Sequence, residues 1–311
     1  MQICGARISS SIPLGPRGKR CIRLLASLLL IFASRGFWTA PRAAAQEPPY
    51  FVTYSHHLEE PGNLEIEFNP VFGTQRGGND YLAGTTEFEY GVKAWWTSEF
   101  YLDAQSTFGD STVFSGFRLE NRFRPLMREH WINPVIYLEY ENVNEADKAM
   151  IEVVGSDSES DYAPPNSTLG RVHVHEMEGK LILSSDFKGW NISENFIAER
   201  NLGHDPFEFG YAAGASRPLR LEVTPRFCNF CRENFLVGAE FYGGLGTTWS
   251  LTASGTSHYA APILGWQLPS GATFRISPGF GLNGESHRFT LRWGISYEIG
   301  GFGWRIKSLF Q

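Results

Sequence analysis

The sequence predicts an all-β fold: a transmembrane antiparallel up-and-down β-barrel of about twelve strands that follows a cleaved signal peptide. Three observations predict it, namely a secretory leader, repeated alternation of apolar and polar residues, and tryptophans gathered at every second connection. The clearest alternation runs from Ser286 to Ile299, where apolar residues take every second position and Arg288, Arg292 and Glu298 lie between them. A strand with one side toward lipid and the other toward a polar lumen has this pattern.

Residues 1–45 have the order of a secretory signal peptide. A basic stretch, Arg17–Arg23, precedes the apolar run Leu24–Phe32, and the small residues Ala43–Ala45 follow. The apolar run is too short to span a bilayer as a helix, so we predict cleavage after Ala45, with a retained membrane anchor as the alternative. Removal of residues 1–45 takes seven basic residues and no acidic ones, which leaves 20 basic against 33 acidic residues and a net charge of −13. Nucleic acid is therefore a poor partner.

Residues 46–61 contain prolines and are expected to form a periplasmic lead before the barrel, which we place at residues 62–300. Strands of roughly ten residues, even in number, suit a barrel that is tilted through a bilayer. Glu194 falls on the apolar face of the seventh strand, which indicates either a bulge or a position near a rim. Pro262 makes the tenth strand the weakest assignment. In chain order the twelve predicted strands are Leu64–Asn69, Glu87–Ala94, Thr97–Ser106, Phe117–Arg124, Ile136–Glu141, Glu176–Leu183, Trp190–Asn201, Phe207–Ala213, Phe235–Phe241, His258–Leu268, Phe274–Leu282 and Ser286–Ile299.

The connections give a second line of support. With the N-terminus in the periplasm, the connections after the even-numbered strands are periplasmic, and tryptophans concentrate there and after the last strand. The other connections are rich in Gly, Ser and Asp, and one of them is the long acidic loop 144–170. Tryptophans on one side predict an aromatic girdle at one membrane interface. The predicted girdle consists of Trp95, Trp96, Trp131, Trp190, Trp266 and Trp304.

The polar faces of the strands predict a charged lumen. A twelve-stranded barrel is narrower than the large porins, so these side chains should partly fill it. They either neutralise one another and stiffen the wall, or form rings of charge that select solutes. The predicted lumen and selectivity residues are Glu87, Glu89, Arg118, Glu120, Arg122, Arg124, Glu139, Glu176, Glu178, Lys180, Arg288, Arg292 and Glu298.

Cysteine and histidine usage points to no cofactor. Cys228 and Cys231 are the two cysteines that follow the leader, and a disulfide between them is the simplest interpretation in an oxidising compartment. His173 and His175 lie on one face of a strand without a complete set of metal ligands, so a rim position is favoured. The acidic run Asp157–Asp161 lacks the spacing of a calcium loop. The sequence therefore predicts no metal and no cofactor.

A catalytic site is not apparent. Ser257–His258 and Ser286–His287 are adjacent pairs, and neighbours in a strand point to opposite faces, so neither pair can act as nucleophile and base. Besides a narrow channel, three alternatives stay open. They are a closed structural or adhesive barrel that presents loop 144–170, a lipid-modifying barrel enzyme, and a soluble β-sandwich.

The segments Glu178–Phe187 and Ser286–Glu298 resemble those of transporter-like bacterial outer-membrane β-barrels, including the type associated with phenol- and aromatic-degradation pathways. The resemblance is architectural and covers nearly the whole chain after the leader. It implies a place in the outer membrane, contact with its lipid, insertion by the barrel-assembly machinery and passage of a small solute. The chain departs from the usual pattern, an aromatic residue that closes the last strand, because residues 301–311 run past that strand and leave Phe310 and Gln311 as the candidate insertion signal.

Overall fold

Twelve long antiparallel strands close into a barrel in the computed structural model, which describes residues 47–75, 79–149, 154, 164–203, 205–222 and 228–309. Each long strand pairs with the next one along the chain, and β13 pairs with β1, for example through Phe68 and Ile295. The two-residue strand β10 pairs only with the last residues of β9, through Ser250 and Thr247 and through Leu251 and Gly246. The predicted twelve-stranded antiparallel β-barrel is thus confirmed. The strands are β1 Leu64–Gly73, β2 Tyr81–Lys93, β3 Trp96–Thr107, β4 Thr112–Phe123, β5 Asn133–Asn144, β6 His173–Phe187, β7 Trp190–Asn201, β8 Glu208–Pro218, β9 Phe235–Thr247, β10 Ser250–Leu251, β11 His258–Gln267, β12 Ala272–Gly281 and β13 Phe289–Ile299.

Short helices occur only in the connections of the described chain. They are α1 at Asn166–Leu169, a 3-10 turn at Arg232–Asn234, and α2 at Phe302–Lys307 after the last strand. No helix among the described residues is long and apolar enough to cross a bilayer.

The wall is apolar outside and polar inside. On β3, Phe100 and Leu102 are 39% and 38% exposed, whereas the flanking Glu99 and Asp103 are 1% and 0% exposed. A soluble protein would bury its apolar row, so this inverted pattern fits a sheet whose outer face meets lipid. The closed ring of strands also excludes the β-sandwich alternative, which consists of two separate packed sheets.

Two details of the wall differ from the sequence-based expectations. Strand β13 begins at Phe289, so Arg288 is an exposed residue of the preceding connection and not a wall residue. Glu194 lies on the outward face of β7 and is exposed, and its pairings with Leu183 and Ala213 show no register shift. Of the two explanations that the sequence left open for Glu194, a bulge or a position near a rim, the structure therefore excludes the bulge.

The barrel has two ends, which we name by their connections. The turn end carries connections 94–95, 124–132, 188–189, 219–234 and 268–271 together with the chain on both sides of the barrel. The loop end carries connections 74–80, 108–111, 145–172, 202–207, 248–257 and 282–288. A disulfide joins Cys228 to Cys231 in the longest turn-end connection, with a Cα–Cα distance of 5.6 Å.

Residues 47–63, which we call the N-terminal segment, lie within the barrel. The sequence predicted a periplasmic lead here, but Tyr50, Val52 and His56 are only 4%, 2% and 1% exposed and contact inward-facing residues of the wall. The segment shows no apolar or polar periodicity, because its own backbone hydrogen-bonds to wall side chains and not to a neighbouring strand. Sequence periodicity had no means of detecting this placement.

Part of the connection between β5 and β6 is also buried. Ala149 and Val154 are 3% and 2% exposed and belong to one apolar cluster with Val52 of the N-terminal segment. The remaining cluster members come from the wall and include Val71 and Tyr242. The barrel interior is therefore filled from both ends. The acidic run Asp157–Asp161, like residues 1–45 and Phe310, lies outside the described residues.

Candidate functional site: a charged lumen that holds the N-terminal segment

Glu240 anchors the middle of the N-terminal segment. Its side chain points inward from β9 and accepts hydrogen bonds from three consecutive backbone amides: Phe51 at 3.2 Å, Val52 at 2.9 Å and Thr53 at 2.6 Å. Three amides that converge on one carboxylate form an anion-binding arrangement, which offsets the cost of burying Glu240. The segment is irregular here because its backbone amides donate hydrogen bonds to a wall side chain and not to a neighbouring strand.

Side-chain amides of the wall hold the flanking residues. Asn195 of β7 accepts a hydrogen bond from the Tyr54 amide at 2.6 Å and donates one to the Tyr54 carbonyl at 2.9 Å. The Tyr50 hydroxyl donates to the side chain of Asn191 at 3.1 Å. Such paired contacts replace the strand partner that the segment lacks, so the backbone stays satisfied inside the barrel.

Arg118 is the centre of a buried ion-pair network. Its Nε lies 2.8 Å from Asp103 Oδ2 and its Nη1 lies 3.1 Å from Glu139 Oε1, so the adjacent strands β3, β4 and β5 are joined along the inner face of the wall. The guanidinium stacks over the ring of Tyr101 at 4.4 Å. Because all these side chains are buried, removing one member would leave an uncompensated charge.

Arg122 joins the wall to the N-terminal segment. Its guanidinium contacts three carboxylates, those of Glu89 at 2.5 Å, Glu120 at 3.1 Å and Glu99. The same group lies 5.4 Å from the ring of Tyr54. One guanidinium is thus shared among three acidic side chains.

Lys180 and Arg275 complete the contacts to the segment. Lys180 Nζ lies 2.7 Å from Glu178 Oε1 and 4.7 Å from the Tyr54 ring. Arg275 pairs with Glu67 and donates to the Tyr50 carbonyl at 2.6 Å. Cations of the wall therefore face both the rings and the carbonyls of the segment.

Arg292 has a different environment. It is 6% exposed on β13, and its Nη1 lies 3.5 Å from the Ala149 carbonyl. Within the part of the chain that the structure describes, its Nε and Nη2 atoms have no hydrogen-bond partner.

A cavity of about 120 Å³ remains between the N-terminal segment and the turn-end half of the wall. Its lining is strongly acidic, and the two cations among the lining residues, Arg122 and Arg275, are already engaged by carboxylates. The carboxylates that line it are those of Glu47, Glu65, Glu67, Glu87, Glu89 and Glu99. This space is large enough for a few water molecules.

Glu59 lies at the turn end, where the N-terminal segment meets β1. Burial, together with the neighbouring charges of Glu47, Glu65 and Glu298, raises the pKa of Glu59 from 4.5 to about 9. Glu59 is 5% exposed, and its Oε1 atom has no hydrogen-bond partner among the described residues. The docked segment therefore holds Glu59 in its neutral form at pH 7.

Most of the predicted lumen residues face the interior, with two exceptions. Arg124 follows the end of β4 and pairs with Glu129 at 2.5 Å in the next connection, so it lies at the turn-end rim. Arg288 is exposed in the loop-end connection before β13. The strand register places the others on the inward face: Glu87, Glu89, Arg118, Glu120, Arg122, Glu139, Glu176, Glu178, Lys180, Arg292 and Glu298.

Sequence reasoning missed the contribution of residues 47–63 and the importance of Asp103 and Glu99. The two acids lie on the polar face of β3, so the alternation contained the signal needed to select them. Tyr54 and His56 carried no such signal, because an irregular segment has no face that a pattern could reveal.

The predicted girdle tryptophans all belong to the turn end. Trp95, Trp131, Trp190 and Trp304 are 46%, 70%, 40% and 82% exposed. Trp266 stacks on Phe230, Phe235 and Phe274 at the end of β11. Their common position is what an interfacial girdle requires, and contact with lipid headgroups stays a prediction.

The serine and histidine pairs lie at the loop end. Both ring nitrogens of His258 have partners other than a serine hydroxyl: Nδ1 lies 3.2 Å from the Tyr211 hydroxyl, and Nε2 lies 3.0 Å from Thr256 Oγ1. Ser286 Oγ instead accepts a hydrogen bond from the backbone nitrogen of His258 at 2.8 Å. These contacts give no support to a Ser–His catalytic pair that involves His258.

Comparison with solved structures finds outer-membrane barrels. The chain is similar to the COG4313 outer membrane channel from Pseudomonas putida F1, with a TM-score of 0.51, 12% identity, and coverage of 78% of this chain and 98% of that chain. Weaker similarities include the KdgM porin, with a TM-score of 0.43, 7% identity and coverage of 75% and 98%. LpxR from Salmonella typhimurium follows with a TM-score of 0.39, 9% identity and coverage of 76% and 99%. No family model and no curated protein matches the chain. At 12% identity, the similarity to the COG4313 channel establishes the fold alone, that of an outer-membrane β-barrel.

Proposed function

We propose that this chain is a narrow channel of the bacterial outer membrane for small polar or charged solutes, with a preference for cations. The observation that carries the proposal is the closed barrel whose inward-facing acids outnumber its bases and enclose an acidic cavity. The inward bases are Arg118, Arg122, Lys180, Arg275 and Arg292. The inward acids include Glu65, Glu67, Glu87, Glu89, Glu99, Asp103, Glu120, Glu139, Glu178 and Glu240. Fixed negative charge along a narrow path attracts cations and repels anions.

The same fold supports a location in the outer membrane. The apolar outer face supports contact with outer-membrane lipid, and closure of the barrel leaves no unpaired strand edge toward that lipid. We further propose that the barrel-assembly machinery inserts the chain. The N-terminal segment narrows the path, because its backbone is bonded to Glu240 and Asn195 on the inner wall. Solutes would therefore pass through the space beside the segment, or through a wider lumen after the segment leaves.

A closed structural barrel is the second candidate. The hydrogen bonds to Glu240 and the apolar cluster around Val52 favour it, because both stabilise a filled lumen. The two candidates differ in ion flow. In a planar bilayer with a salt gradient, the purified chain should give discrete steps of conductance. The sign of its reversal potential should show that cations pass more readily than anions. The closed barrel would be favoured instead if both the intact chain and a variant without residues 47–58 insert stably but give no conductance steps.

A further inference from the structure

A cluster of two histidines and two carboxylates lies at the turn end, separate from the ion pairs of Arg118 and Arg122. His56 and His57 belong to the N-terminal segment, Asp186 to the end of β6, and Glu129 to the connection between β4 and β5. One donor atom each from His56, His57 and Asp186 lies within 4.8 Å of the others. Three parts of the chain that are far apart in sequence thus converge on one point.

The donor atoms have the separations of a small coordination sphere. Asp186 Oδ2 lies 3.0 Å from His57 Nε2 and 3.7 Å from His56 Nε2. Glu129 Oε2 lies 3.1 Å from His56 Nε2. Two ligands bound about 2.0–2.2 Å from one tetrahedral metal ion are roughly 3.3–3.5 Å apart. The observed spacings lie around this value, so an ion could be bound with small side-chain shifts.

Neighbouring groups orient the histidine and the aspartate. His56 Nδ1 lies 2.8 Å from Ser184 Oγ, which leaves Nε2 directed at the carboxylates. Asp186 Oδ1 accepts a hydrogen bond from Asn191 Nδ2 at 2.7 Å, which leaves Oδ2 directed at the histidines. Outer contacts of this kind fix the tautomer and the orientation of metal ligands in known sites.

A second pair of contacts holds Glu129. Arg124 Nη2 donates to Glu129 Oε1 at 2.5 Å, and Asn133 Nδ2 donates to Glu129 Oε2 at 3.1 Å. Access is also present, since the side chains of Glu129 and Asp186 are 61% and 44% exposed. The cluster is therefore ordered on the protein side and open on the solvent side.

We infer that His56, His57 and Asp186 form a binding site for a first-row divalent transition-metal ion, with Glu129 as the fourth ligand. Two imidazoles with carboxylate oxygens suit Zn²⁺, whereas Ca²⁺ and Mg²⁺ prefer sites made of oxygen alone. The sequence did not reveal this site, because His56 and His57 fall in the predicted lead outside the barrel, and no pattern connects them to Asp186 or Glu129. The irregular backbone instead places their ring centroids 4.5 Å apart.

The ion would join the N-terminal segment to the wall. His56 and His57 move with the segment, whereas Asp186 is fixed in the β6–β7 hairpin opposite Asn191. Metal binding would therefore stabilise the docked segment, since an ion that binds only this arrangement shifts the equilibrium toward it. This effect on ion flow rests on the proposed channel function, whereas metal binding itself does not.

The test is a titration of the detergent-solubilised full chain with Zn²⁺, after removal of metal with a chelator, followed by calorimetry. Co²⁺ serves as a second probe, because its visible absorption reports tetrahedral coordination by nitrogen and oxygen. We expect one Zn²⁺ per chain, and at least tenfold weaker binding in His57→Gln and in Asp186→Asn. Asn191→Ala should weaken binding roughly tenfold, as expected for loss of a group that orients a ligand.

The matched control is the double variant His173→Gln and His175→Gln, which removes another histidine pair at the loop end. Its affinity for Zn²⁺ should equal that of the unchanged chain. Circular dichroism and thermal unfolding identify any variant that has lost the barrel, and the partly exposed Asp186 and His57 are chosen to limit that risk. The inference is overturned if the unchanged chain binds no Zn²⁺, or if only the control variant loses it. Zinc that binds without altering conductance would contradict the link to ion flow and leave the site in place.

Discussion

The Glu240 carboxylate lies 2.6 Å from the backbone nitrogen of Thr53, and this contact joins the N-terminal segment to the inner face of β9. Val52 and Phe51 donate to the same carboxylate, so a single side chain satisfies three successive amides. The charged form of Glu240 and the docked position of the segment therefore stabilise each other.

Glu240→Gln should loosen the segment and increase ion flow. Hydrogen bonds to a charged acceptor contribute about 1–1.5 kcal/mol more than neutral ones, so the docked fraction should fall at least fivefold relative to the undocked fraction. Single-channel recording measures this as a larger open probability or conductance. The control is Glu194→Gln, the same change on the outward face of the barrel, which should have no effect. Equal conductance for both variants would mean that Glu240 does not hold the segment in place.

Ion flow should increase with pH because of Glu59. Its pKa is about 9 in the docked segment against 4.5 in an exposed one, so docking binds a proton between these values. The stabilisation of the docked segment is complete below pH 4.5 and is lost as the pH rises through 9. Each pH unit in this window changes the docking equilibrium by up to about tenfold.

Glu59→Gln is the matching variant for the pH experiment. It keeps the volume of a neutral carboxyl and cannot titrate, so its conductance should rise less between about pH 5 and pH 9 than that of the unchanged chain. The difference between the two curves isolates the contribution of Glu59. Two superimposable curves would mean that other groups control the pH dependence.

Glu47→Gln and Glu67→Gln should each reduce cation selectivity. Both carboxylates line the cavity beside the segment, and one charge at contact distance in water contributes up to about 1 kcal/mol, so the permeability ratio should fall roughly twofold to fivefold. The reversal potential in a salt gradient reports the ratio. An unchanged potential in both variants would place the ion path elsewhere.

Arg118→Ala should destabilise the barrel. The change leaves Asp103 and Glu139 buried without their cation, which typically costs about 3–5 kcal/mol. Urea unfolding followed by tryptophan fluorescence measures the free energy of unfolding. Arg288→Ala is the control, since Arg288 is exposed and should alter stability by no more than about 0.5 kcal/mol. A loss below about 1 kcal/mol for Arg118→Ala would show that water reaches the network.

Local alternation is sufficient to predict the wall but not its contents. The period of two in β3 assigns Glu99 and Asp103 to one face and Phe100 to the other, because lipid and lumen impose opposite preferences on neighbouring positions. The predicted bounds of β7, Trp190–Asn201, agree with the structure residue for residue. Each of these features depends only on one strand and on the two environments, lipid and lumen, that its two faces meet.

The contents of the lumen depend on contacts between distant parts of the chain. Tyr54 meets Asn195, and His57 meets Asp186, at separations of 141 and 129 residues. Neither pair has a periodic pattern that connects its members, so the sequence suggested a lead outside the barrel. Arg288 was misplaced for a simpler reason, because the alternation extends back beyond Phe289, the first residue of β13.

The central claim is that the N-terminal segment narrows the path for ions. The most direct test compares two chains in planar bilayers under a salt gradient. One is the unchanged chain and the other lacks residues 47–58, and the measurement is single-channel conductance. We expect small, cation-selective steps for the unchanged chain and clearly larger steps, still cation-selective, for the shortened one. A shortened barrel that folds and inserts but conducts no better than the unchanged chain would contradict the claim that the N-terminal segment sets the width of the path.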